Sequence, residues 1–477
     1  MALRGGRGRH RGALRAGLRA GARRHVRRGR GGPPDGGQRA GGPGADGQAR
    51  GGGGRPGGRR ARPLSGPGGG RPRRAVVTGI GLVNPLGVGR DAVWARLLAG
   101  ESAVAPITRF DAAGLAVGLA AEVRDFRPAQ YAPARLVAKS DRFAHYALAA
   151  TNLALADASL DVADLDPFAV GISFGNNSGG WDICERGFDE YYHQGPGLVN
   201  PWQATAWFPT AAQGFVSIRY GIRGMSKSFA ADRASGGSAL FFALRAIRWG
   251  HAEVMLAGGA EAPLTRLGVA AHVTTGELSE ELDPARAFLP FDRRRAGFVL
   301  GEGAAVLVVE ELERARRRGA RVYGEIVAVE QRTADPDDPD GLAAAVGAAL
   351  RGAGWSAGQL DAAFAEGCAT VAGDRSEAVA LCRTVGSAGL PVTAPKAAFG
   401  HLYGASFGTD VACALLAMEQ SVLPPTAATG DPDPDCPVRL VTEPAAARLE
   451  RVLVNARSRE GTNVCLLAAR EPGDGDI

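Results

Sequence analysis

The chain has 477 residues, with 56 basic and 49 acidic side chains, a formal charge of +7 at neutral pH and only 6% aromatic residues. Its six cysteines follow neither metal-ligand nor disulfide spacing, which sets aside a zinc module or a disulfide-stapled domain and suits a reducing cytoplasm.

The charge is unevenly spread. Residues 1–74 carry 20 arginines and two acids, Asp35 and Asp46, so the remainder holds 36 basic against 47 acidic groups, a net −11. This Arg/Gly-rich tail has too little apolar surface to fold, and a disordered segment is expected. It lacks an apolar run long enough for a signal peptide or a membrane span. It also lacks any aromatic residue on which a base could stack, so neither a membrane nor nucleic acid is expected as a partner. The chain uses only three lysines, Lys139, Lys227 and Lys396, a bias that fits an upstream start codon in GC-rich coding sequence.

Taken in order, the body is an α/β pattern. Ala75 to Val83 reads as a buried strand, followed by a turn at Asn84-Pro85-Leu86-Gly87. No Gly-rich turn there opens into a helix, so no dinucleotide cofactor is expected. Asp141 to Ala158 is an alanine-rich helix and Ala169 to Phe174 a strand. Gly179-Gly180-Trp181 opens a segment in which Trp181, Cys184 and Phe188 share one helix face. Gly214 to Tyr220 reads as strand-like. A strand after Ser226 then turns through Ser235-Gly236-Gly237 into a helix with Ala239, Phe242, Ala243, Ala246 and Ile247 on one face. Strand, tight turn and helix N-terminus make a nucleophile elbow, where free N–H groups favour an anion. The residue at its apex is therefore expected to be the nucleophile. Val254 to Glu261 and Ala304 to Val309 are hydrophobic strands, and Glu310 to Arg318 is a charged helix. A second run follows: strand Gly324 to Glu330, helix Gly341 to Gly352 and strand Asp361 to Ala365. Alternating buried strands and helices imply parallel sheet covered on both faces.

Asp232-Arg233-Ala234-Ser235-Gly236 resembles the Ala-Cys-Ala-Ser-Gly turn of β-ketoacyl synthases, with the apex cysteine replaced by Arg233, which cannot act as a nucleophile. Pro290-Phe291-Asp292, Arg295, Gly297-Phe298-Val299 and Gly301-Glu302-Gly303 resemble that family's Pro-Phe-Asp…Gly-Phe-Val…Gly-Glu-Gly signature nearly throughout. The resemblance covers the body and none of the tail. It implies a thiolase fold, two similar halves in an α-β-α-β-α arrangement, with boundaries expected at 75–320 and 321–470.

Three further departures cluster with Arg233. The family's Glu-Ala-His-Gly-Thr becomes Glu366-Gly367-Cys368-Ala369-Thr370, with two residues missing before Asp374, so Cys368 replaces a catalytic histidine. The Gly-Phe-Gly-Gly-Thr-Asn loop reads Ser458-Arg459-Glu460-Gly461-Thr462-Asn463, which replaces the gating phenylalanine and its glycine neighbour near the oxyanion hole. Lys396 and Gly400-His401-Leu402-Tyr403-Gly404-Ala405 are intact. Losing nucleophile, imidazole and oxyanion loop together implies that condensation is not done here. An ion pair of Arg233 with Glu460 is expected to plug the site.

The resemblance therefore points to the chain-length-factor (ketosynthase β) branch of type II polyketide synthases. It implies a heterodimer with a catalytic ketosynthase α subunit. That pair would elongate a polyketide intermediate carried as a phosphopantetheine thioester of acyl carrier protein, and no cofactor is expected on this chain. Carried over from that branch, the tunnel residues are Trp181, Cys184, Phe188, Leu267 and Gly268. Two rivals stay open: an acyltransferase or decarboxylase using a Cys368–His401 pair, and an RNA-binding protein acting through its tail. If the tail is dispensable, deleting residues 1–73 leaves folding and pairing unchanged; an insoluble or unpaired truncated chain would refute this.

Overall fold

The computed structural model describes residues 73–386 and 389–471. All but the last two residues of the expected tail, and hence the disorder expected of it, lie outside the described residues.

The first run of elements is β1 (Ala75–Asn84), α1 (Arg142–Asp157), β2 (Val170–Gly175), α2 (Trp181–Gln194), α3 (Ala211–Tyr220), β3 (Ser226–Phe229), α4 (Ser235–Arg248), β4 (Val254–Glu261), α5 (Arg266–Val273) and β5 (Gly303–Glu311). The second is β6 (Gly324–Thr333), α6 (Pro339–Ala353), β7 (Ala362–Phe364), α7 (Val371–Val385), β8 (Pro391–Thr393), α8 (Ser406–Gln420), β9 (Arg451–Arg457) and β10 (Thr462–Ala469).

One strand order occurs twice. In the first run it is β3-β2-β4-β5-β1 and in the second β8-β7-β9-β10-β6. In each, the first three strands are parallel and the last two pairings antiparallel. The two meet where Val76 and Val77 of β1 pair with Glu325 and Gly324 of β6. Helix α1 covers the outer face of β1, β4 and β5, and α6 that of β6 and β10. Between the two runs of strands lie α4 and α8, which touch each other as well as strands of both. This is the α-β-α-β-α layering of a thiolase fold.

Burial explains the patterns. A central helix has no solvent face, so it is apolar all round; α8 is buried from Ser406 to Met418. Its one buried charge, Asp410, is answered by Lys396 at 2.8 Å. Strand β4 is buried at all eight positions, as a strand covered on both faces must be. The Pro290–Gly303 block is structural: Asp292 accepts the Gly430 and Asp431 N–H groups at 3.1 and 2.9 Å, and buried Glu302 pairs with Arg142 and Arg109.

Three sequence expectations change. Gly214 to Tyr220 belongs to a helix, because Ala211, Ala212 and Val216 fall on one helical face that packs against α1. The bend at the elbow lies at residues 230–234, and Ser235-Gly236-Gly237 form the first turn of α4. The glycines there serve close packing: a Cβ on Gly236 would lie 2.7 Å from the Gly404 carbonyl, and one on Gly237 3.0 Å from Val464. The charged helix begins only at Leu312, since Glu310 and Glu311 end β5 and Glu311 caps the helix through the N–H groups of Glu313 and Arg314.

One close backbone approach brings the two motif regions together. A Cβ at Gly259 in β4 would sit 2.1 Å from the Gly404 carbonyl oxygen and 2.4 Å from that of Gly175. Neither backbone oxygen can swing aside, so Gly259→Ala should destabilise the protein by about 1–3 kcal/mol or more. The solvent-facing Gly352→Ala, with open space around it in α6, should instead stabilise by about 0.4–1 kcal/mol. Paired thermal or denaturant melts check both signs; equal effects would contradict the packing argument.

Candidate functional site

The elbow places its apex inward. Asp232 takes a left-handed conformation, φ 51°, and Ser235 staples the bend by accepting the Ala231 N–H at 2.9 Å and donating to the Asp232 carbonyl at 2.6 Å. Arg233 is buried, 5% exposed. Its Nη1 donates to Glu277 Oε1 at 2.8 Å and its Nε to the Arg457 carbonyl at 3.3 Å. Nε also lies 3.5 Å from Glu366 Oε1 and 3.9 Å from Asp232 Oδ2. The Phe298 ring closes one side, 5.6 Å from the guanidinium carbon. Burial works against the charge, but the surrounding carboxylates outweigh it and raise the arginine's pKa.

The partner of Arg233 is thus Glu277, not Glu460. Glu460 stands exposed at the tip of the β9–β10 hairpin, 3.4 Å from Arg459. Glu277 comes from the loop after α5, a stretch without a motif, so only its buried cationic partner could have pointed to an acid somewhere.

Glu366 is the hub. His401 Nε2 donates to its Oε1 at 2.7 Å. The Tyr403 N–H donates to His401 Nδ1 at 3.0 Å, which assigns the ring proton to Nε2. Burial lowers the His401 pKa, and the Nδ1 that accepts the Tyr403 N–H carries no proton. Lys396 Nζ lies 4.0 Å from the other Glu366 oxygen and donates to the Ala365 carbonyl at 2.8 Å. Burial alone would raise the Glu366 pKa; His401, Lys396 and Arg233 together pull it down to about 2. The imidazole N–H that a ketosynthase would turn to its substrate is therefore committed to a carboxylate.

Cys368 has no part in this pair. Its Sγ lies 3.2 Å from Thr370 Oγ1 and 3.8 Å from Asp374 Oδ1. Burial, then Asp374, push its thiol up to about 12. With His401 engaged by Glu366, the thiol–imidazole pair of the acyltransferase reading does not form.

The oxyanion loop is closed as well. The Arg459 N–H, at the position of the family's gating phenylalanine, donates to Asp232 Oδ2 at 2.7 Å. An oxyanion hole needs that donor free. Apex, imidazole and loop donor are all occupied by groups of the chain itself, so the site can hold charge but cannot form or stabilise a tetrahedral intermediate.

Beside the elbow lies a cavity of about 450 Å³, lined among others by Ser178, Trp181, Asp232, His272, Tyr403 and Arg459. Of the five tunnel residues inferred from sequence, Trp181 lines it. Gly268 stands behind the indole, since a Cβ there would meet the ring at 3.1 Å. Cys184 and Phe188 follow on α2, the first half-buried and the second 51% exposed. Leu267 is half-buried, its N–H donating to Glu185 Oε2 at 2.9 Å. His272, Ser178 and Glu261 had no sequence signal, because each acts through a contact between separate elements.

Among the described residues no cluster of His, Cys, Asp and Glu could hold a metal ion, and no helix is long and apolar enough to cross a membrane.

Fold and site together define a thiolase-fold ketosynthase whose condensing centre is filled. The model of the β-ketoacyl synthase N-terminal domain matches residues 73–315, and that of the C-terminal domain residues 323–429. The tetracenomycin polyketide synthase ketoacyl synthase beta subunit of Streptomyces glaucescens is 40% identical, over 84% of this chain and 99% of that protein. The actinorhodin polyketide putative beta-ketoacyl synthase 2 of Streptomyces coelicolor is 36% identical, over 83% and 98%. Among solved structures, the ishigamide ketosynthase/chain length factor superposes with a TM-score of 0.79 at 30% identity, covering 84% of this chain and all of that one. The chain belongs to the β-ketoacyl synthase family, on its ketosynthase β (chain-length factor) branch.

Two outcomes follow from the filled site. Arg233→Cys should not restore condensation, because the Asp232–Arg459 bond, the Glu366–His401 bond and Cys368 all remain; mass spectrometry after incubation with acyl-carrier-protein thioesters should find no acyl adduct and no extended product. In the isolated chain at mildly alkaline pH, iodoacetamide should label Cys184 and Cys382 while Cys368, protonated below about 12, stays unlabelled. Labelling of Cys368 at the rate of a free thiol would overturn the burial argument.

Proposed function

We propose that this chain is the non-condensing subunit of a type II polyketide synthase, paired in the cytoplasm with a catalytic ketosynthase α. The partner's cysteine forms each carbon–carbon bond on an acyl-carrier-protein thioester, using malonyl units, and this chain shapes the tunnel into which the polyketide grows. The observation that carries the reading is the apex Arg233 held by Glu277 and Glu366: the fold is kept and the nucleophile is not. One solved relative, 27% identical with a TM-score of 0.75, is described as a type II polyketide synthase acyl carrier protein in complex with its ketosynthase bound to the hexaketide, which supports the same assembly here.

A heterodimer also accounts for what the single chain leaves exposed. Phe188, Tyr191, Tyr192 and Leu198 are half or more exposed, and Phe208 nearly half, within a stretch of about 20 residues, far more apolar surface than scattered side chains need. Strand β3 ends the sheet with its outer edge unpaired among the described residues, a template that a partner can cover.

In this reading Trp181, Cys184, Phe188, Leu267 and Gly268 border the tunnel. Trp181→Ala would remove an indole and admit further ketide units, giving a stable heterodimer with longer products. If the indole were ordinary core, the same change would cost about 3–5 kcal/mol and give poor expression. Phe188→Ala should act in the same direction. Co-purification with the ketosynthase, followed by product mass analysis, separates the outcomes; stable complexes with unchanged product length would sink the tunnel assignment.

A further inference from the structure

Trp181 is the first residue of α2, where the helix itself does little to hold a side chain. Its indole is held by other elements. Nε1–H donates to Ser178 Oγ at 2.7 Å, and that hydroxyl donates in turn to Glu261 Oε1 at 2.8 Å. Glu261 is fully buried at the end of β4 and is anchored independently of the serine hydroxyl. Its oxygens accept the N–H groups of Asn177 at 2.8 Å and of Ser178 and Gly404 at 3.2 Å, with the Asn176 amide also at 3.2 Å. On the other side of the ring, Gly268 leaves room for the indole. His272 donates Nδ1–H to the Gly268 carbonyl at 2.7 Å and packs edge-on to the tryptophan, with ring centroids 6.0 Å apart.

We propose that Ser178 is a positioning residue for product length: by tying the Trp181 N–H to the buried Glu261 carboxylate, it fixes the indole's projection into the 450 Å³ cavity. This rests on the tunnel reading above. The clamp does two things to a growing poly-β-ketone. It holds a bulky wall in one rotamer, so that the chain meets one depth. It also spends the indole's only donor, so the wall offers ring surface rather than a hydrogen bond to a keto oxygen. A freed indole would sample other rotamers and expose that donor, and the stop would lose its sharpness.

The test uses the heterodimer with its ketosynthase, with this chain labelled with 5-fluorotryptophan. Ser178→Ala removes the relay while Glu261 keeps its other donors, and Trp181→Phe removes the N–H without touching Glu261. The Trp181 fluorine resonance, assigned by its loss in Trp181→Phe, should shift and broaden in Ser178→Ala. Each variant should turn one product length into a mixture weighted to longer chains. The double variant should do no more than either alone, because both remove one bond. If Trp181→Ala lengthens the product while Ser178→Ala leaves product and resonance as in the parent, the clamp is wrong and the tunnel stands. If Trp181→Ala changes nothing either, both fall together. Should Ser178→Ala fail to fold, Trp181→Phe decides alone: an unchanged single product refutes the clamp.

Discussion

A carboxylate buried among three nitrogen groups holds this site together. Glu366 could not stay ionised at 1% exposure without His401, Arg233 and Lys396 around it, since desolvation alone would neutralise it. In turn it gives Arg233 a reason to point inward. An arginine placed at a nucleophile's position in an apolar centre would have to swing out to solvent or be paired. Here Glu366 answers it on one side and Glu277 on the other. The substitution at the apex is therefore a replacement network and not a simple loss.

The network works because the backbone around it is rigid. Gly175, Gly259 and Gly404 meet at distances that admit no side chain, which locks the ends of β2 and β4 to the turn after His401. That turn orients the imidazole through the Tyr403 N–H and the Ser406 hydroxyl. A catalytic ketosynthase needs this framework to place reacting groups. This chain uses the same framework to place charges that cancel one another. Stability and the loss of chemistry share one cause: each group that could act on a thioester is bound to a neighbour.

Next to the closed centre, Asp232 stands between the two functions. Its carboxylate takes the Arg459 N–H and its backbone shapes the elbow, while its side chain also borders the cavity that holds Trp181. Asp232 and Arg459, from the filled condensing centre, thus form part of that cavity's wall.

The sequence by itself determined the strand and helix that flank the elbow and the helix that carries Trp181, Cys184 and Phe188, and its resemblance to ketosynthase motifs gave the arginine at the apex, the lost histidine and the altered loop. Each is written in local spacing: a strand, a turn and a helix have periods that a linear pattern records, and a motif shows its substitutions residue by residue. Tertiary structure alone decided the pairings. Arg233 could have met either Glu277 or Glu460, and the choice depended on a hairpin whose tip sends Glu460 into solvent. Cys368 and His401 lie in neighbouring motifs, yet the imidazole turns to Glu366 because a backbone N–H fixes its other nitrogen. Gly214 to Tyr220 carries too few residues to tell strand from helix until α1 supplies a surface to bury Val216. Ser178 is silent in any pattern, since its role is one hydroxyl joining an indole three residues on to a carboxylate 83 residues away. Such contacts depend on direction and burial in three dimensions, and no period in the chain encodes them.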